Sequence, residues 1–154
     1  MSVESVGSFT ARGAGDGRQD DPAITQVGTD RFAVAWDSNG IKGEVFTNGG
    51  QSTGSFTVRG TGDNRQSHPT ITGLDNGNFA VAWEDDQDSS IIQGDIFTSS
   101  GQSARSFTVR GTAGGDDQSR PQITRLDNGK FTVSWEDSQT QTNIQGQVFK
   151  KNAQ

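Results

Sequence analysis

SFTVRGTGDNRQSHPTITGLDNGNFAVAWEDDQDSSIIQGDIFTSSGQ, residues 55–102, has a variant of itself on either side. The earlier copy starts at Ser8 and reads SFTARGAGDGRQDDPAITQVGTDRFAVAWDSNGIKGEVFTNGGQ; the later one starts at Ser106 and reads SFTVRGTAGGDDQSRPQITRLDNGKFTVSWEDSQTQTNIQGQVFK. The chain is therefore one domain of three tandem units, 8–54, 55–105 and 106–154, and this self-similarity decides the fold class. Every phenylalanine, tryptophan and proline falls on the same grid, with Phe9, Phe32, Phe46, Trp36 and Pro22 recurring as Phe56, Phe79, Phe97, Trp83 and Pro69, then as Phe107, Phe131, Phe149, Trp135 and Pro121. No large aromatic is left for a purpose of its own.

Within the middle copy the segments 55–60, 70–74, 78–84 and 91–97 alternate with period two, the mark of half-buried strands. In Phe79-Ala80-Val81-Ala82-Trp83 the bulky residues share one face and the alanines the other, so this strand is expected to be covered on both sides. Asp75-Asn76-Gly77 and Asp127-Asn128-Gly129 read as tight hairpins, because Asn and Gly tolerate positive φ; Gly28-Thr29-Asp30 predicts a different turn. The copies differ in length after the tryptophan and before the proline, which places these stretches in exposed loops.

The expectation is an all-β protein of three four-stranded repeats. Three units suit a monomeric β-trefoil by number, since propellers hold about four to eight blades. The phase of the repeat favours propeller blades instead: the chain opens on the Phe9 strand and ends on the Phe149 strand, so each terminal unit lacks something its neighbours supply. A head-to-tail homodimer would complete a ring of six blades and leave no long open edge.

The segments Pro69-Thr-Ile-Thr-Gly-Leu-Asp-Asn-Gly-Asn-Phe-Ala-Val-Ala-Trp and Ile92-Gln-Gly-Asp-Ile-Phe, with Gly101 and Ser106-Phe-Thr-Val, resemble tandem repeats of large bacterial surface and type I secreted (RTX-associated) proteins. The resemblance spans nearly the whole chain and implies propeller-like blades and a secreted or surface setting. Gly114-Gly115-Asp116-Asp117 departs from the calcium nonapeptide of such proteins, so calcium does not follow from the resemblance.

Composition narrows the function. A net charge of -6 gives no positive face for a phosphate backbone or an anionic membrane surface, so nucleic acid is not an expected partner. No stretch reaches the ~20 apolar residues of a helical membrane span, and the N-terminal residues form neither the basic nor the apolar part of a Sec signal. Without cysteine there is no disulfide, thiolate nucleophile or zinc-thiolate site.

A serine triad would have to use the single histidine, His68, which stands before Pro69 where the other copies have Asp21 and Arg120, a variable loop position. Carboxylates repeated at equivalent places read as loop charges or repeated contacts rather than as one catalytic pair, and no enzyme is expected. Asp85, Asp86 and Asp88 form the densest acidic cluster and are the candidate calcium ligands, with a solubilising loop as the alternative. The strongest functional pattern is Trp36-Asp37, Trp83-Glu84 and Trp135-Glu136, joined by Arg12, Arg59 and Arg110. An aromatic face with charged neighbours fits carbohydrate, and three copies would multiply weak glycan sites by avidity; the competing reading makes the tryptophans core. The favoured function is a multivalent, lectin-like binding module, against a structural or protein-interaction repeat module.

Overall fold

A computed structural model describes residues 2–11, 18–58, 66–86, 90–109, 118–138 and 141–151. Their strands are β1 (Asp20–Val27), β2 (Arg31–Asp37), β3 (Ile41–Thr47), β4 (Ser52–Thr57), β5 (Gln66–Gly73), β6 (Phe79–Asp85), β7 (Ile91–Phe97), β8 (Ser103–Thr108), β9 (Gln118–Arg125), β10 (Lys130–Asp137) and β11 (Asn143–Lys150). They form three separate antiparallel sheets in simple meander order: β1-β2-β3-β4, β5-β6-β7-β8 and β9-β10-β11. The all-β expectation is met, but the sheets are out of phase with the sequence repeats. Ser55 lies inside β4 and Ser106 inside β8, so the opening segment of each repeat completes the sheet before it.

The hairpins follow their residues. Asn76 and Gly77 have φ of 63° and 72°, and Asn128 and Gly129 have 61° and 69°, the positive values that close a two-residue turn. In the equivalent turn of the first sheet, Gly28-Thr29-Asp30, only Gly28, at 64°, is left-handed, so this turn differs as its sequence predicts.

The sheets stack bulky face on small face. Phe79, Val81 and Trp83 of β6 pack with Ala33 and Ala35 of β2 in one core cluster. Phe131, Val133 and Trp135 of β10 pack with Ala80 and Ala82 of β6 in the next. Every residue of β6 is buried, because this strand has a sheet on each side. Phe56 crosses the first junction: it is carried by β4 yet packs at a tilt against Phe79 and Phe97, with ring centroids 5.0 and 4.8 Å away. Phe107, on β8, makes the same cluster with Phe131 and Phe149. Each aromatic pair is worth about 0.5–1.5 kcal/mol beyond its burial.

Polar bonds tie the same junctions. The Gln66 Oε1 accepts from the Ile41 N–H at 3.4 Å and the Gln118 Oε1 from the Ile92 N–H at 3.0 Å, each a side chain of one sheet completing the backbone of the sheet before. Thr25, Thr70 and Thr72 hydroxyls accept from the N–H groups of Gly73, Ile123 and Arg125, which sets β1, β5 and β9 side by side.

Candidate functional site

Each of these three neighbouring strands begins with the same irregularity. Asp21, His68 and Arg120 precede Pro22, Pro69 and Pro121, and proline disfavours the helical region for the residue before it. All three adopt left-handed backbone, φ 47°, 49° and 51°, where a residue other than glycine stores roughly 1–3 kcal/mol of strain. The ladders shift register beside them, between Asp20 and Ala23, between Ser67 and Thr70, and on β10 between Ser134 and Glu136. The bulges bring Asp21, His68 and Arg120 together, and with the three prolines and Gln122 they line a cleft of about 340 Å³.

Behind the cleft stand the acidic residues that follow each tryptophan. His68 Nδ1 is 3.1 Å from Glu84 Oε2, and its Nε2 is 3.8 Å from Asp21 Oδ2, so the imidazole joins two sheets. Glu84 is buried, and its other oxygen accepts from the backbone N–H of Arg120. The exposed Arg120 guanidinium reaches both oxygens of Glu136, at 3.3 and 3.4 Å. Asp37 holds the same position in the first sheet, and its carboxyl is pushed above the usual carboxylate range, first by burial and then by Asp21 and Asp20. The Gly40 N–H and His68 act in the opposite direction.

The stacking platform expected from Trp36, Trp83 and Trp135 is absent. Their exposures are 3%, 1% and 3%, because each ring closes the bulky face of its sheet and offers no face to a sugar. Each indole Nε1 is buried without an acceptor among the described residues. Asp37, Glu84 and Glu136 do gather near the charged cleft. Arg12, Arg59, Arg110 and Asp88 lie outside the described residues. Asp85 is buried at the end of β6, whereas Asp86 accepts from the Ser90 hydroxyl at 2.5 Å on the surface, so these two neighbours do not share a face. Among the described residues no group of three or more His, Asp or Glu side chains comes within metal-binding range.

His68 is corrected from a loop position to a strand position, at the meeting point of the three sheets. The available signal was the repeated Xaa-Pro, filled by an acid, an imidazole and a guanidinium in an otherwise repeated frame.

No family model and no curated protein matches the chain. Among solved structures it is similar to a protein of unknown function from Dyadobacter fermentans DSM 18053, with TM-score 0.64 and 11% identity over 84% of this chain. It is also similar to a GH43 endo-arabinanase from Bacillus licheniformis, with TM-score 0.52 and 14% identity over 83% of this chain. The chain spans 37% and 52% of the length of those two proteins. At these identities the likeness concerns the fold alone.

Proposed function

We propose that the three sheets are propeller blades and that the chain is a non-enzymatic binding module, taking a polar, polyhydroxylated ligand of the carbohydrate class at the Asp21, His68 and Arg120 cleft. The propeller reading is preferred to a trefoil because, among the described residues, the sheets share no strand ladder and pack through their faces. The observation that carries the ligand reading is the divergence of three equivalent positions. Identical strained backbone presents a carboxylate, an imidazole and a guanidinium to one open cleft. Hydroxyl groups use such mixed donors and acceptors, and the prolines supply the small apolar surface that a sugar ring also needs.

Hydrolysis is disfavoured by what the carboxylates already do. Glu84 is committed to His68 and the Arg120 N–H, and Glu136 to the Arg120 guanidinium. Asp37, the carboxyl held high, does not line the cleft. The resemblance to bacterial surface and secreted repeats supports an extracellular setting for such a binder.

The test is a glycan array followed by amide chemical-shift titration with each hit. Shifts confined to the bulges at residues 20–22, 67–69 and 119–122, and lost in His68→Ala and Arg120→Ala, would support the reading. An empty array, or shifts elsewhere, would end it, and release of reducing sugar would replace binding with hydrolysis.

A further inference from the structure

The two ends of the array differ from its interior in complementary ways. On β3 and β7, Gly43 and Gly94 pair with Phe56 and Phe107 of the fourth strand. The ring of that phenylalanine fills the place of the missing side chain: a Cβ on Gly43 would lie 2.0 Å from Phe56 Cζ, and one on Gly94 would lie 2.1 Å from Phe107 Cζ. Gly146 is the equivalent residue on β11, and there a Cβ would meet nothing closer than the Val133 carbonyl at 3.4 Å. No strand pairs with the outer edge of β11 among the described residues. Ile144 and Val148 on that strand are 74% and 60% exposed, whereas their counterparts Ile41, Ile92 and Val45 are at 0%.

The segment that would fill this edge lies at the other end of the same chain. Phe9 sits on Phe32 and Phe46 with centroids at 4.8 and 4.9 Å, the geometry of Phe56 on the next sheet, although Phe9 remains 44% exposed. Gly50 approaches the Ser8 carbonyl as Gly101 approaches that of Ser55; an added Cβ would stand 3.1 and 3.0 Å from them. Ser8, Phe9 and Ala11 are thus docked against the first sheet like β4 against the second, but among the described residues no strand pairs with them. Gln19, which aligns with Gln66 and Gln118, is exposed where those two are buried. Ile24 is 60% exposed where its counterpart Ile71 is 8%.

We propose that the β11 edge receives residues 7–11 of a second copy, with Phe9 over Gly146, Ser8 opposite Gln147 and Gln19 accepting from the Ile144 N–H. The exchange is reciprocal, so two copies form two identical junctions and one closed ring of blades. Two copies supply six sheets, within the about four to eight blades typical of propellers. The face that β10 offers the incoming sheet carries Thr132 and Ser134 where β2 and β6 carry alanines. The side chains are still small, and Thr132 donates its hydroxyl to the Gln147 carbonyl at 3.1 Å, so the face remains dockable. This inference does not depend on the ligand reading.

Light scattering after size exclusion tests it, with the full chain at several concentrations. The expected mass is twice the 16.4 kDa of one chain, unchanged by dilution through the micromolar range. It should halve in Phe9→Ala, which removes the inserted ring, and in Gly146→Val, which blocks its seat on the opposite partner. Far-UV circular dichroism of both variants establishes that they remain folded. In the cysteine-free chain, Ser8→Cys with Gln147→Cys should form an intermolecular disulfide under mild oxidation, whereas Ser8→Cys with Gln145→Cys should not. A monomer at every concentration, mass that keeps growing with concentration, or a dimer that survives both variants and forms no cross-link would overturn the proposal.

Discussion

The ring of Phe56 occupies the space that a side chain on Gly43 would need, with 2.0 Å between its Cζ and an added Cβ. Gly43 lies on a regular strand, so the demand is for room rather than for unusual backbone. Gly43→Ala should destabilise the chain by about 1–3 kcal/mol through overpacking. Phe56→Ala should cost about 3–5 kcal/mol through the cavity it leaves. The double variant should cost clearly less than their sum, since the alanine methyl no longer meets a ring. Urea melts followed by tryptophan fluorescence would give all three values, and strict additivity would contradict the contact.

The same acidic position should respond differently in successive sheets. Glu84 is buried and accepts from the Arg120 N–H, so Glu84→Ala leaves a backbone donor without its partner and should cost about 1–3 kcal/mol. Glu136 pairs with a guanidinium that is 71% exposed, and Glu136→Ala should change stability by less than about 1 kcal/mol. Equal losses in thermal melts would mean that burial does not separate the two.

Asp37 sets a pH dependence with a definite sign. Its carboxyl titrates higher in the folded chain than in the unfolded one, so the unfolded chain gives up this proton first as pH rises. The contribution of Asp37 to stability is complete below the unfolded value and is lost as pH climbs through the folded value. Asp37→Asn should therefore raise the melting temperature at neutral pH, and the gain should vanish in acid below the ordinary Asp range. A gain that persisted or grew in acid would contradict the assignment to burial and to Asp21 and Asp20.

Removing the amide of Gln118 tests the bond between sheets. Gln118→Ala deprives the buried Ile92 N–H of its acceptor and should cost about 1–3 kcal/mol. Hydrogen exchange at Ile92 should accelerate more than exchange at Phe131, in the core of the sheet that carries the substitution. Uniform acceleration through the third sheet alone would argue against a direct bond.

Much of the fold was legible because its signals are local. Period-two alternation marked the strands, and Asn76-Gly77 marked its hairpin by the conformations these residues tolerate. The phase of the sheets was harder to read, because a tandem repeat looks the same from any starting point; nothing in Ser55-Phe56-Thr57 says which neighbour pairs with its backbone. Trp83 was ambiguous for a related reason. Alternation shows that its face is distinct, not whether another sheet or a ligand covers it. Asp21, His68 and Arg120 align before the repeated prolines, but their convergence is made by bulges that the alignment does not reveal, so the position reads as a variable loop.

The offset between the repeat and the sheet affects how copy number can change. A segment running from one phenylalanine strand to the next begins as the last strand of one sheet and ends as the third strand of the following one. Recombination that inserts or removes such a segment lengthens or shortens the array by one sheet, without cutting a ladder or altering either terminal surface. Array length can therefore vary during evolution while both terminal surfaces stay the same, and in the ring of blades proposed above the number of chains per ring would change with it.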